Sequence, residues 1–224
     1  MMNIREIWRF ADQVYCDNDF TSDQISKKVP CLSFEESNDF MKIWIDNGNL
    51  IIAFRGSDDI KDWIGNFCFG SLNQHEDFRE AYEKFACELI SFVSPNLDKN
   101  IIITGHSRGA AIATFCAEHL SNFASVSCIT FASPRVGDKS FREYYNKLSI
   151  DHTNVFIECD IVPTLYTQYA LGFRHVGKTL KLKKPFYWKL PPMRVYYRVK
   201  SHLRSTLTKS INKRWKLNSQ EGKS

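Results

Sequence analysis

The stretch IIITGHSRGAAIA, residues 101–113, constrains the fold more than any other part of the chain. Four β-favouring residues run straight into Gly-x-Ser-x-Gly, and strong helix formers follow at once. A strand must end, the chain must reverse sharply, and a helix must begin, all within a few residues. Gly105 and Gly109 allow the tight turn and a close approach of helix to sheet. Ser107 then has two roles open to it. It is either an N-cap, or a nucleophile held at the carboxyl edge of a sheet, where open α/β sheets bind their ligands. The start of the following helix supplies free N–H groups and a partial positive charge, which suit an oxyanion.

The remaining pattern agrees with an α/β chain. Residues 3–16 carry Ile4, Ile7, Trp8, Ala11, Val14 and Tyr15 at helical spacing, which predicts a first helix. Asn47-Gly48 between two β-favouring runs predicts a type I′ hairpin. Leu50–Phe54 is almost wholly apolar, so it belongs inside a sheet covered on both faces. Helices are expected at 75–93, 107–120 and 138–148. Strands are expected at 101–104, 126–132, 154–158 and 172–183, and a basic helix from about residue 200. Strands alternating with helices predict a mostly parallel sheet with helices on both faces and an antiparallel N-terminal hairpin. The domain expectation is one unit over 1–207, followed by a basic tail over 208–224 that is either flexible or helical.

Charge is distributed unevenly. Residues 1–173 hold 15 Lys/Arg against 24 Asp/Glu, and residues 174–224 hold 15 Lys/Arg against the single acid Glu221. The basic end suits an anionic surface, either a membrane or nucleic acid; no nucleic-acid module is recognisable, so nucleic acid is not favoured. The seven cysteines are odd in number and none forms C-x-x-C. With Cys87, Cys116 and Cys128 inside apolar runs, they read as buried free thiols of a reducing compartment, with no zinc site. The first residues are charged from Arg5 onward and form no apolar leader, and no stretch is long enough to span a bilayer. The expectation is a cytoplasmic protein, with or without peripheral membrane association.

A serine hydroxyl needs a histidine base, and the histidine needs a carboxylate to orient it. On an α/β sheet with this serine turn, the chain order is Ser, then Asp or Glu, then His. Asp160 directly follows a predicted strand and qualifies as the acid. Two histidines follow it. His175 lies in the predicted last strand and His202 lies beyond it. The residues alone leave both open.

Six pieces, taken together, resemble the class 3 lipases, the group that includes the fungal triacylglycerol lipases. They are IIAFRGSDDIKDW (51–63), IIITGHSRGAAIA (101–113), ITFASPRVGD (129–138), DIVPTL (160–165), GFRHVG (172–177) and SHLRSTL (201–207). The resemblance covers about residues 40–207 and implies the α/β-hydrolase fold. It implies Ser107 as nucleophile, Asp160 as acid and His202, in SHL, as base. It further implies an oxyanion hole made by the N–H groups of Ser57, which closes FRGS, and of Arg108. Arg108 departs from the family's usual leucine, and Ala110 from its second glycine. The implied activity is hydrolysis of carboxylic esters of acylglycerols or phospholipids through an acyl-enzyme, with no metal or organic cofactor.

Ile60, Trp63, Ile64 and Phe67 fall at i, i+3, i+4 and i+7, the pattern of a short amphipathic helix. It follows Ser57 directly, where the fungal lipases carry a mobile lid. Lysines mixed with aromatics over 178–192 suit an anionic membrane surface. Two other readings use the same residues: a non-catalytic lipid- or membrane-binding protein on this fold, and an acyltransferase.

Overall fold

A computed structural model describes residues 2–16, 27–28, 32–34, 39–57, 74–165, 169–184 and 194–221. Helix α1 (Ile4–Gln13) opens the chain. Asn3 caps it and accepts the Glu6 N–H, and the Glu6 carboxylate accepts the Asn3 N–H in return. Two short strands follow, β1 (Lys27–Lys28) and β2 (Leu32–Phe34), both antiparallel to β3 (Asp39–Asp46). These two strands were not anticipated; at two and three residues they are too short to show an alternating pattern.

Strand β3 turns into β4 (Asn49–Phe54) through Asn47 and Gly48, with φ of 46° and 77°. Both central residues have positive φ, as a type I′ turn requires. From β4 onward the sheet is parallel: β5 (Asn100–His106), β6 (Val126–Phe131), β7 (Ile150–Ile157) and β8 (Lys178–Leu182) add in sequence order. Helices α2 (Gln74–Val93) and α3 (Arg108–Leu120) lead into β5 and β6, and α4 (Lys139–Tyr145) leads into β7. Helices α5 (Arg194–His202) and α6 (Arg204–Glu221) follow β8.

Period-two alternation divides the core between the two faces of this sheet. Leu50, Ile52, Phe54, Ile101 and Ile103 pack with Phe85 and Leu89 of α2 and Phe115 of α3. Ile51, Ala53 and Ile102 pack on the other face with Ile7, Trp8 and Ala11 of α1 and with Leu207 and Ile211 of α6. The division drawn at 207/208 therefore falls inside α6, whose Ile211 is fully buried against α1.

Three boundaries differ from expectation. Strand β7 begins at Ile150, not 154, because Asp151, His152 and Thr153 pair with β6 in spite of their polarity. His152 is buried there between the Thr130 hydroxyl at 3.0 Å and the Tyr145 hydroxyl at 2.9 Å. Helix α4 stops at Tyr145, short of 148. Strand β8 begins at Lys178, so His175 lies in the segment before it. Gly172 and Gly177, with φ of 91° and 62°, bracket that segment and turn the backbone off the strand path. Cys87, expected to be buried, is an exposed free thiol on α2, whereas Cys116, Cys128 and Cys159 are buried and free.

Candidate active site

Ser107 joins β5 to α3 with φ 58° and ψ −127°, a backbone conformation that costs a non-glycine residue roughly 1–3 kcal/mol. The surroundings hold it there. The Ser107 N–H donates to the Phe131 carbonyl of β6 at 3.0 Å, and the Ser107 carbonyl accepts the Ala110 N–H at 3.0 Å. A Cβ at Gly105 would collide with the backbone of Gly109, and one at Gly109 with the carbonyl of Phe54. The two glycines of the motif are thus required by close approach between the turn, the helix and β4.

Asp160 sits in the turn after β7, and His202 ends α5. They meet in space, although 42 positions separate them. Nδ1 of His202 lies 2.9 and 3.0 Å from the two carboxylate oxygens of Asp160. Nδ1 facing a carboxylate carries the proton, which leaves Nε2 as acceptor. Nε2 lies 2.8 Å from Ser107 Oγ, the geometry of a base positioned to take the hydroxyl proton. Ser107, Asp160 and His202 are all fully covered from solvent.

The turn carrying Asp160 is fastened at several points. Its Oδ1 accepts the Val162 N–H at 3.0 Å, and its carbonyl accepts the Thr164 hydroxyl. The neighbours of the acid and the base also touch, with Cys159 Sγ 3.1 Å from Ser201 Oγ. The Ile161 N–H donates to the Arg198 carbonyl of α5 at 3.2 Å. Helix α5 is therefore docked onto the turn that supplies the carboxylate.

His175 does not reach this cluster. Its Nε2 donates to the Pro163 carbonyl at 2.9 Å, and its ring stacks on Phe156 with centroids 5.7 Å apart. Burial pushes its pKa down to about 4, and the charges of Arg135 and Lys181 add to the effect. It is a neutral packing residue beside the acid's turn. His152 is likewise held neutral, at about 3, chiefly by burial.

Ser57 and Arg108 flank the serine turn. Ser57 follows Gly56, where an added Cβ would lie 3.2 Å from Ser107 Cβ. Arg108 opens α3, so its N–H stands at the positive end of the helix dipole. Burial lowers the Arg108 pKa, and its side chain is half-covered. Ile60, Trp63, Ile64 and Phe67 lie outside the described residues. Among the described residues no cluster of three or more His, Cys, Asp or Glu side chains is arranged to hold a metal ion.

The sequence reading did not anticipate a second histidine in the site. His106, immediately before the serine, is fully buried with its ring centroid 4.9 Å from that of His202. Its Nε2 lies 3.0 Å from the His202 carbonyl and so carries the proton; its Nδ1 lies 3.2 Å from the Tyr15 hydroxyl. Burial first, then the neighbouring His202, hold His106 well below the usual imidazole pKa. The only signal for it was its place inside the serine motif, and Tyr15 reads as one more apolar position on the helix expected over 3–16.

Comparison with known proteins agrees with the fold. Residues 51–170 match the family model for lipase (class 3). A lipase of Rhizomucor miehei is 32% identical over 148 residues, covering 58% of this chain and 40% of that protein. The secreted mono- and diacylglycerol lipase A of Penicillium cyclopium is 26% identical over 227 positions, covering 84% of this chain and 70% of that protein. The solved structure of the Rhizomucor miehei triacylglyceride lipase superimposes with a TM-score of 0.64 at 26% identity, over 72% of this chain and 68% of that one. The secreted relatives overturn the expectation of a cytoplasmic location, which rested on thiol count and on the first residues alone. Among the described residues no helix is long and apolar enough to cross a membrane. With more than half its length matched and the serine turn inside the matched region, the chain belongs to the class 3 lipase family.

Proposed function

We propose that this chain is a serine esterase of the lipase class, hydrolysing carboxylic esters of acylglycerols or phospholipids through an acyl-enzyme on Ser107. The observation that carries the reading is the 2.8 Å contact of His202 Nε2 with Ser107 Oγ, backed by Asp160 on Nδ1. His202 takes the hydroxyl proton as Oγ attacks the ester carbonyl. The Asp160 carboxylate keeps the imidazole oriented and stabilises its charged form. The tetrahedral oxyanion is held by the N–H groups of Ser57 and Arg108; loss of one such donor costs about 3 kcal/mol in the transition state. His202 returns the proton to the departing alcohol. Water then repeats the sequence on the acyl-enzyme and releases the acid.

The substrate class draws on the relatives' names, which specify mono- and diacylglycerols in one case and a phospholipase A1 in another. The chain spans 40% of the length of one curated relative and 70% of another, and its own substrates are assigned on that basis. The basic stretch after residue 173 supports peripheral contact with an anionic lipid surface. We take α6, packed on α1, as part of the same catalytic unit. The test is labelling with a fluorophosphonate probe, together with fatty-acid release from a panel of acylglycerols and phospholipids. Labelling and release that disappear in Ser107→Ala support the reading. An unlabelled protein that releases no acid from any ester defeats it.

A further inference from the structure

Helix α1 and the base-bearing segment are fastened to each other, yet both lie outside residues 51–170. Trp8 Nε1 donates to Thr208 Oγ1 at 2.9 Å, and Arg5 Nε donates to Asn212 Oδ1 at 2.8 Å. Arg204, two residues past His202, donates to the Asp12 carboxylate at 2.7 Å and to the Asp12 carbonyl at 3.1 Å. Its guanidinium lies over the Tyr15 ring, 4.1 Å from the centroid. The other side of this junction is held as well: Lys42, buried on β3, donates to the Cys16 carbonyl at 2.6 Å. The Tyr15-Cys16 pair is thus held from two elements, Tyr15 under Arg204 and Cys16 by Lys42.

The Tyr15 hydroxyl bonds to two groups among the described residues, and both lead into the site. It accepts the Gly56 N–H at 2.9 Å, in the residue before Ser57. It faces His106 Nδ1 at 3.2 Å. The partners fix the proton positions along the chain. His106 Nε2 must donate to the His202 carbonyl, so Nδ1 is an acceptor and Tyr15 donates to it. Gly56 N–H, Tyr15 O–H, His106 N–H and the His202 carbonyl therefore form one directional series. It joins the loop that leads to the proposed oxyanion donor with the backbone of the proposed base. We infer that Tyr15 is a positioning residue: through His106 it holds the His202 backbone in register with Ser107, and through Gly56 it holds the Ser57 loop. The inference rests on the esterase reading above and assigns the segment that leaves the N-terminal helix a part in catalysis.

Tyr15→Phe removes only the hydroxyl. It leaves the ring under Arg204 and strands both His106 Nδ1 and the Gly56 N–H. A small displacement of a catalytic group costs up to about a hundredfold in rate. The expected result on a soluble ester is a fall in kcat of about ten- to a hundredfold, with KM unchanged and fluorophosphonate inactivation slowed in parallel. Thermal melts give the folded fraction at the assay temperature, and rates are expressed per folded molecule. A second pair keeps the idea testable if Tyr15→Phe does not fold. His106→Gln retains an N–H near the position of Nε2, and His106→Leu does not. His106→Gln should recover a substantial part of the kcat that His106→Leu loses. A Tyr15→Phe protein within twofold of wild type in kcat, or two His106 variants equally impaired, overturns the inference. Wild-type protein inert toward the soluble ester and the probe would instead defeat the esterase reading itself.

Discussion

Asp160→Asn is the sharpest single perturbation of the proposed triad, because it changes charge and hydrogen-bonding sense with almost no change in shape. Asp160 is fully covered. Its two oxygens stand 2.9 and 3.0 Å from His202 Nδ1, and Oδ1 also accepts the Val162 N–H at 3.0 Å. The Val162 N–H will keep the amide oxygen of asparagine in the Oδ1 place, so the amide nitrogen takes the Oδ2 place. A donor at the Oδ2 place then faces Nδ1 beside the acceptor retained at the Oδ1 place. The two contacts no longer both favour a proton on Nδ1, so the tautomer with its proton on Nε2, which donates to Ser107 Oγ and cannot accept from it, gains population. The imidazolium formed during attack also loses its buried counter-charge. In another serine hydrolase such a change lowers kcat about 10⁴-fold. The same loss is expected here and corresponds to about 5 kcal/mol in the barrier. The assay is steady-state hydrolysis of a short-chain soluble ester, with fluorophosphonate inactivation measured alongside. KM should stay within a few-fold of wild type, since Asp160 touches no part of the substrate. A kcat within tenfold of wild type would refute the reasoning, because a buried carboxylate that can be neutralised so cheaply is not orienting the base.

Two further outcomes follow from the backbone and from buried imidazoles. Ser107→Gly and Ser107→Ala should both be inactive, but the glycine variant should be the more stable by about 1 kcal/mol, since only alanine keeps the strain of φ 58°; a chemical denaturation series on the two proteins checks this, and an alanine variant at least as stable denies that the turn is strained. His175 and His152 have folded pKa values depressed to about 4 and about 3, below the ordinary imidazole value of about 6.5. The unfolded chain therefore binds protons first as pH falls through 6.5, and the stability contributed by keeping each ring neutral is present above that pH and lost below it. Between neutral pH and about pH 5 each histidine should cost roughly 2 kcal/mol, and His175→Gln should remove about one such share from the acid sensitivity measured by urea unfolding. An unchanged pH slope in His175→Gln would contradict the burial argument.

What could be read from the chain, and what could not, divides along range of interaction. The serine turn was legible because strand, glycines, serine and helix formers are contiguous, and local sterics decide the outcome. The Asn47-Gly48 hairpin was legible for the same reason. Asp160 could be found because it directly follows an apolar strand. The choice of His202 over His175 was not available from the residues themselves; it came from the resemblance. Ser107 and His202 are 95 positions apart, and only tertiary packing brings them to 2.8 Å. Polar core residues misled the reading in two places. The run Asp151-His152-Thr153 concealed the first turn of pairing in β7, because His152 is buried through hydrogen bonds and not through apolarity. His106 and Tyr15 were passed over because nothing in composition marks a polar network that links three distant segments. The thiols led to a location that the secreted relatives contradict, since free buried cysteines such as Cys116 and Cys128 report packing, not compartment.

The most direct measurement of the central claim compares His202→Ala with His175→Ala in ester hydrolysis, per folded molecule, with probe labelling of Ser107 as the second readout. The account predicts that His202→Ala loses about 10⁴-fold or more in kcat and labels very slowly. It predicts that His175→Ala stays within tenfold of wild type, because that ring bonds the Pro163 carbonyl and stacks on Phe156 away from the serine. Loss of activity from His175→Ala with His202→Ala still active would contradict it.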